Sequence, residues 1–299
     1  NQLGFYAQDE WAVTPTLKIT AGVRVDLASY PDTPNNNAAF DSTFTARGYN
    51  LKTSKLPATY AAISPRVGFN WAVDEERNTQ VRGGVGLFSG RFPYVWISNQ
   101  YSNTGVDFYT YTTAPNAFVA DPYNQPKPST STFPTAEVDI TDPDFKAPAI
   151  IRVNLGIDQR LPYDFIASVE GLFSWSQNEV YYQNINLAGQ QTNGGLTAGG
   201  KLIGENREVW GILNTTGSSI GKYGTSGVKV NSRFTAVYLV KNTDQGSNSN
   251  ITFQLQRQAT ADPLNAMIGY TWTKAMDIGG SNSTTASSGW RFNPSRGNP

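Results

Sequence analysis

The chain has 299 residues, no Cys, no His, two Met, and 23 acidic side chains against 23 basic ones. Balanced charge leaves none of the basic excess that phosphate binding needs, so no nucleic-acid partner is expected. Without Cys and His the usual ligands of zinc, iron–sulfur clusters and haem are missing, as is His-based acid–base catalysis; no metal, no cofactor and no enzyme activity are expected. Mean hydropathy is −0.40 and no apolar run reaches the length of a membrane-spanning helix. Barrel strands with one polar face give the same values, so periodicity is the quantity to follow.

Residues 3–13 open the chain as a strand of irregular alternation, followed by the tight turn Thr14-Pro15-Thr16. In residues 17–27 the alternation is strict: Leu17, Ile19, Ala21, Val23, Val25 and Leu27 are apolar, with Lys18, Thr20, Gly22, Arg24 and Asp26 between them. A long connector over 29–62 leads to Val67, Phe69, Trp71 and Val73, which alternate with Arg66, Gly68, Asn70 and Ala72. Residues 74–78 form a second tight turn, and Val81, Val85 and Leu87 then oppose Gln80, Arg82, Gly84 and Gly86. After the connector 90–148, Ile151, Val153, Leu155 and Ile157 oppose Arg152, Asn154, Gly156 and Asp158. Pro162-Tyr163-Asp164 turns the chain into a strand over 165–175, and a third long connector spans 177–249. Ile251, Phe253 and Leu255 alternate with Thr252, Gln254 and Gln256; the turn 260–263 and a strand over 264–272 close the series. No helix longer than a turn or two is expected.

Tight and long connectors alternate, which is the habit of transmembrane barrels: short periplasmic turns, long extracellular loops. Strand length also fits a tilted crossing of about 9–11 residues. The expected fold is all-β, an antiparallel transmembrane β-barrel segment of about eight crossing strands with long extracellular loops. Counting directions from the tight turns excludes the apolar run 234–240 as a crossing strand. It is expected to be half of an extracellular hairpin around Asn242 to Gly246, standing above the membrane. Eight strands can close a small barrel, but both chain ends would then lie outside the cell. Residues 1–299 are therefore expected to be a single domain and part of a larger barrel.

Several stretches resemble one known family. Phe5-Tyr6-Ala7-Gln8-Asp9-Glu10-Trp11, followed by Leu17 to Asp26, resembles a hairpin of TonB-dependent receptor barrels. Ile63-Ser64-Pro65-Arg66-Val67-Gly68-Phe69 and Arg82 to Arg91 resemble the strands that follow it. Arg91 to Gln100 and Tyr270-Thr271-Trp272-Thr273-Lys274-Ala275-Met276-Asp277 resemble the Oar-like branch, whose members often begin with a carboxypeptidase-regulatory-like domain and which is related to SusC/RagA-like proteins. The resemblance implies a 22-stranded barrel in the bacterial outer membrane, an N-terminal plug, and a TonB box coupling uptake to the proton gradient. On that resemblance the plug and terminal strands are expected to lie outside these residues. Implied partners are the lipid bilayer, the protein's own plug, TonB, and in related systems a SusD-like surface lipoprotein. Uptake of an oligosaccharide, peptide or metal chelate is the implied function. The alternatives are a passive channel, a surface or secretion scaffold, or a secreted β-sandwich adhesin or carbohydrate-binding module.

Three groups of residues are candidate sites. Trp11, Trp71, Trp175, Tyr270 and Trp272 share the apolar parity near expected strand ends, as an aromatic girdle at the headgroup level would. Arg24, Arg66, Arg82 and Arg152 have the opposite parity and are expected to face the lumen, the plug or a ligand, because an Arg toward lipid at mid-depth costs about 2–4 kcal/mol. Arg91, Tyr94, Trp96, Asn99 and Tyr101 lie in a connector where rings beside amides suit flat polar ligands such as sugars or peptides. The same residues have a bland use, packing against the plug and neighbouring loops. Residues 139–144 are acidic enough to hold calcium in a loop.

Overall fold

The computed structural model describes residues 2–90, 94–107, 109, 118–125, 135–187, 229–259, 264–278 and 283–291, with the pairs 197–198, 201–202, 212–213 and 223–224. In chain order the first elements are β1 (Gln2–Thr14), β2 (Leu17–Ala28), α1 (Ala38–Thr45), β3 (Tyr60–Ala72), β4 (Thr79–Ser89) and α2 (Tyr94–Ser102). Next come β5 (Ala136–Thr141), β6 (Ala149–Leu161), β7 (Phe165–Gln177) and β8 (Glu179–Asn184). Four two-residue strands follow, β9 (Thr197–Ala198) paired with β10 (Lys201–Leu202), and β11 (Ile212–Leu213) paired with β12 (Tyr223–Gly224). The last are β13 (Phe234–Thr243), β14 (Ser247–Arg257), β15 (Ala266–Met276) and α3 (Ala286–Arg291).

Eight strands form one antiparallel sheet in the order β1-β2-β3-β4-β6-β7-β14-β15. Its register keeps the alternation in step across every pair. Ile19 lies opposite Trp11 and Phe69, Val85 opposite Val67 and Val153, and Phe253 opposite Val169 and Tyr270. All apolar stripes therefore share one face. That face is bare: Val67, Val85 and Leu155 are 51%, 50% and 55% exposed. In a sandwich these side chains would meet a second sheet and lose most of that exposure, so the β-sandwich alternative fails here.

The tight turns have the expected chemistry. The Asp74 carboxylate accepts from the backbone N–H of Asn78 at 2.7 Å and Thr79 at 2.8 Å, which also holds its pKa below the ordinary value. Tyr163 and Asp164 both have positive φ, 66° and 62°, as a primed hairpin turn requires. The turn at 260–263 lies outside the described residues. At the opposite end of the sheet Ala28 faces Tyr60, Ser89 faces Ala149, and Ser247 faces both Trp175 and Met276. All the long connectors leave from that rim.

Strand limits differ from expectation at several places. β3 begins at Tyr60 and β14 at Ser247, inside the connectors expected over 29–62 and 177–249, because β2 pairs with β3 as far as Ala28 and β7 pairs with β14 as far as Ser247. The last strand is shifted from 264–272 to Ala266–Met276, where β14 pairs with it up to Ser247.

The connectors are not plain loops. They build a second sheet, β5-β13-β8, in which β13 runs antiparallel to β8 and parallel to β5. The expected hairpin around residues 242–246 is corrected by this pairing: Thr243 lies opposite Glu179 and Tyr238 opposite Asn184, so the partner of β13 is upstream. Since Trp175 faces Ser247 one step below, β8 and β13 prolong the β7–β14 ribbon beyond the rim. The ribbon bends at Asn178, φ 58°, and Gly246, φ 130°.

Each face of this sheet carries a dry core. On one, Phe40 and Phe44 of α1 pack with Val138, Ile140, Phe234, Val237 and Leu239. Helix α1 starts where the Asn37 side chain accepts from Phe40 N–H, and its i, i+4 phenylalanines supply the apolar stripe. On the other, Ile97 of α2 and Trp290 of α3 pack with Phe145, Val180, Tyr182, Tyr238 and Val240.

Candidate functional site

The face opposite the apolar stripes is polar and largely self-neutralised. Lys18 bridges to Glu10 at 2.8 Å on the neighbouring strand. The Arg24 guanidinium grips Asp26 two residues on, with Nε to Oδ2 at 2.6 Å and Nη2 to Oδ1 at 2.8 Å. This pair lies over Gly4, where an added Cβ would fall 2.7 Å from Arg24 Nη2. Arg82 bonds Asp158 of β6 and, at 2.9 Å, Glu170 of β7. It reaches both across Gly156, whose missing Cβ would stand 3.3 Å from Arg82 Cζ. Arg66 and Arg152 have no such partner among the described residues, though Arg152 lies 6.0 Å from the Phe88 ring centroid. The four arginines grouped by parity thus divide into two that are paired within the wall and two that are not.

The connector candidates are used mostly as structure. Residues 94–102, expected to be a loop, are helix α2, and Arg91 lies outside the described residues. The helix escapes a search for apolar periodicity because its buried side includes Asn99 and Gln100 beside Ile97. Asn99 Nδ2 donates to Val95 O, Trp96 O and Thr284 O, tying α2 to the segment before α3. The Tyr101 hydroxyl donates to Asp32 O, and Tyr94 makes an edge contact with Tyr30 at 5.9 Å. Tyr94, Trp96 and Tyr101 all pack against the second core, half-buried.

Sequence reasoning missed the residues that complete this cap. Gln100, fully buried, donates to Thr53 O and Lys55 O and accepts from Thr141 N–H at 2.8 Å, so it closes the free edge of β5. Asn103 supports the same edge: its carbonyl accepts from Asp139 N–H and its Nδ2 donates to Asp139 Oδ2 at 2.7 Å. The acidic stretch read as a calcium loop is strand here as far as Thr141. Beside it a cavity of about 390 Å³ is lined by Ser102, Asn103, Gly105, Tyr109, Thr135, Glu137 and Thr235. Burial raises the Glu137 pKa, against the pull of Arg291 and Ser287. Burial, with Glu137 adding to it, raises that of Asp139 well above the usual range, while Asn103 opposes.

The five girdle candidates all lie on the apolar face and are exposed. Trp11 and Trp71 sit at the tight-turn end, opposite Ile19 and Leu17, and Trp175 sits at the rim opposite Ser247. Tyr270 and Trp272, expected at a strand end, are mid-strand because β15 continues to Met276.

Among known proteins, the profile of the family "Outer membrane beta barrel domain" matches residues 1–298. No curated protein matches the chain. Among solved structures it is similar to the siderophore receptor PirA from Pseudomonas aeruginosa, with 12% identity and a TM-score of 0.44 over 92% of this chain and 34% of that one. It is also similar to the ferric enterobactin receptor PfeA from the same organism in complex with BCV-L6, with 11% identity and a TM-score of 0.47 over 91% and 27%. The outer membrane transporter YddB from Escherichia coli gives 10% identity and a TM-score of 0.39 over 98% and 35%. The chain spans about a third or less of these proteins. With one bare apolar face, one ion-paired polar face and a family match over nearly its whole length, the chain belongs to the outer membrane beta barrel domain family, in the bacterial outer membrane.

Proposed function

We propose that this chain is part of a TonB-dependent transporter that takes up a nutrient, such as an oligosaccharide, peptide or metal chelate, across the outer membrane. The observation that carries this reading is a folded cap on the rim, with a polar cavity at its edge, above a strand wall whose inner face is polar. A passive pore has no use for a cap with two dry cores, whereas a receptor needs ordered structure to hold a ligand before transport. A plug, a TonB box, a total of 22 strands and membership of the Oar-like branch belong to this proposal, as does a SusD-like lipoprotein partner. No bond in the ligand is made or broken, so no catalytic residue is assigned.

The test is uptake of fluorescently labelled oligosaccharides and peptides by cells that make the whole protein, with and without TonB. Uptake that disappears with TonB or with a proton uncoupler supports the proposal. Uptake that survives both supports the passive-channel alternative.

A further inference from the structure

The cavity beside β5 has a particular chemistry. Ser102, Thr135 and Thr235 bring hydroxyls to its wall, Asn103 an amide, Tyr109 a half-buried ring and Glu137 a carboxylate. Among the described residues of that wall there is no lysine or arginine. Thr135 and Thr235 bond each other at 2.8 Å, and either oxygen can be the donor. Such a pair can turn a proton or a lone pair toward an incoming group. Glu137 accepts from Ser287 and is drawn to Arg291 of α3, which uses only part of a carboxylate's acceptor capacity. The wall is set before any ligand arrives. Asn37 Nδ2 donates to Thr104 O at 2.9 Å, Thr104 Oγ1 bonds Asp107, and Asn103 is tied to Asp139 through both its carbonyl and its side chain. Gly105 lies between these anchors with φ 78°, and a Cβ there would fall 2.9 Å from Asn37 Nδ2 and from Val138 Cγ2. Its bare backbone is therefore seated directly against β5.

We propose that this cavity is a subsite for an uncharged, hydroxyl-rich ligand, the end of a neutral oligosaccharide. The inference rests on the reading of the cap as a receptor and narrows its ligand class. A sugar hydroxyl both donates and accepts, so it is satisfied by hydroxyls that do both, beside an amide and a carboxylate. The Tyr109 ring suits the apolar face of a sugar ring. An anionic ligand would meet Glu137 with no cation on the described wall to offset it. The volume of about 390 Å³ is at the small end of the range of about 300–1,000 Å³ for ligand sites, so it takes the end of a chain rather than its whole length. Anchors already in place keep the ordering cost of binding low.

The whole protein in detergent is screened on an array of neutral and uronic-acid oligosaccharides. The tightest neutral binder, citrate and alanylalanine are then titrated by calorimetry. Thr235→Val removes one hydroxyl from the wall, and Ser102→Trp, at an exposed position ending α2, fills the space. Thr45→Trp, exposed on α1, is the control. Hydrogen exchange across α2 and β5 checks that each cap is folded. The expected result is binding of a neutral saccharide in preference to citrate and alanylalanine. Thr235→Val should weaken it on the order of tenfold, Ser102→Trp should abolish it, and Thr45→Trp should leave it unchanged. The proposal is overturned if no neutral oligosaccharide on the array binds, if acidic or peptide probes bind better, or if a folded Thr235→Val binds as the wild type does. Saccharide binding with these signatures but uptake independent of TonB counts against the transport reading alone. TonB-dependent uptake by a protein that binds no neutral saccharide counts against the subsite alone.

Discussion

A single arginine placed along β6 tests the orientation of the sheet. Leu155 is at the middle of β6, is flanked in the neighbouring strands by Gly83 and Gly171 with the rings of Phe69 and Phe173 lying over them, and is still 55% exposed. Against lipid at mid-depth, Leu155→Arg is expected to cost about 2–4 kcal/mol. Leu161 has the same parity but ends the strand. Six residues at about 3.4 Å each, tilted by about 40°, span about 15 Å of depth, enough to reach the interface of a band about 25 Å tall. Leu161→Arg is therefore expected to cost about 0–1 kcal/mol. Asn154→Arg, on the polar face beside Leu155, should stay within about 0.5 kcal/mol of wild type. The assay is refolding of the whole protein from urea into phosphatidylcholine vesicles, followed by tryptophan emission. A gap of about 2 kcal/mol between the two leucine positions is roughly a 30-fold difference in the folding constant, well within its resolution. Equal costs at Leu155 and Leu161, or a cost at Asn154 as large as at Leu155, would refute the assignment of this face to lipid.

Other outcomes concern the cap. Gln100→Ala strips partners from Thr53 O, Lys55 O and Thr141 N–H, three backbone groups in or beside the core; cap opening should become easier by about 3 kcal/mol, read as faster hydrogen exchange across α2 and β5. Asp139 and Glu137 bind protons more tightly in the folded cap than in the unfolded chain, so the cap is most stable below the ordinary carboxylate range and loses stability as pH rises through their raised values. Exchange at residues 136–141 should thus be slower at about pH 5 than at about pH 8 after correction for the intrinsic rate, and Asp139→Asn should flatten the difference. Gly246→Ala puts a Cβ 2.6 Å from Ser176 Oγ at a φ of 130°, and is expected to lower the unfolding midpoint by strain of about 1–3 kcal/mol.

The crossing sheet was legible because its two faces meet different solvents. In β2 and β6 that difference is written as strict alternation, and in the 74–78 turn as an Asp whose carboxylate binds the chain ahead of it. The cap was not legible, for a reason particular to each element. β5 is six residues long and its polar positions, Glu137 and Asp139, turn inward, so it carries no apolar stripe on that side. Its neighbour β13 was recognisable as an apolar run, but residues 242–246 have the composition of a hairpin turn while serving as a bend in a ribbon that begins at β7. The parallel pairing of Val138 with Val237 joins segments about a hundred residues apart, and local pattern carries no trace of it. Helix α1 did leave a signal, Asn37 followed by Phe40 and Phe44, too short to stand out beside the strands. Parity placed Arg24, Arg66, Arg82 and Arg152 on one face of the sheet, but it could not tell the ion-paired Arg24 and Arg82 from Arg66 and Arg152, because that depends on which side chains sit across the glycines.

The cap takes α1 from one connector, α2 and β5 from a second, β8 and β13 from a third and α3 from a fourth, all sharing two interiors. Sequence variation in the cap therefore has to be concerted: reshaping one excursion uncovers rings held in place by the others, and a single one grafted into a foreign scaffold is not expected to fold. Free drift is left to positions outside both interiors, such as Phe118 and Tyr123, which stand almost fully in water.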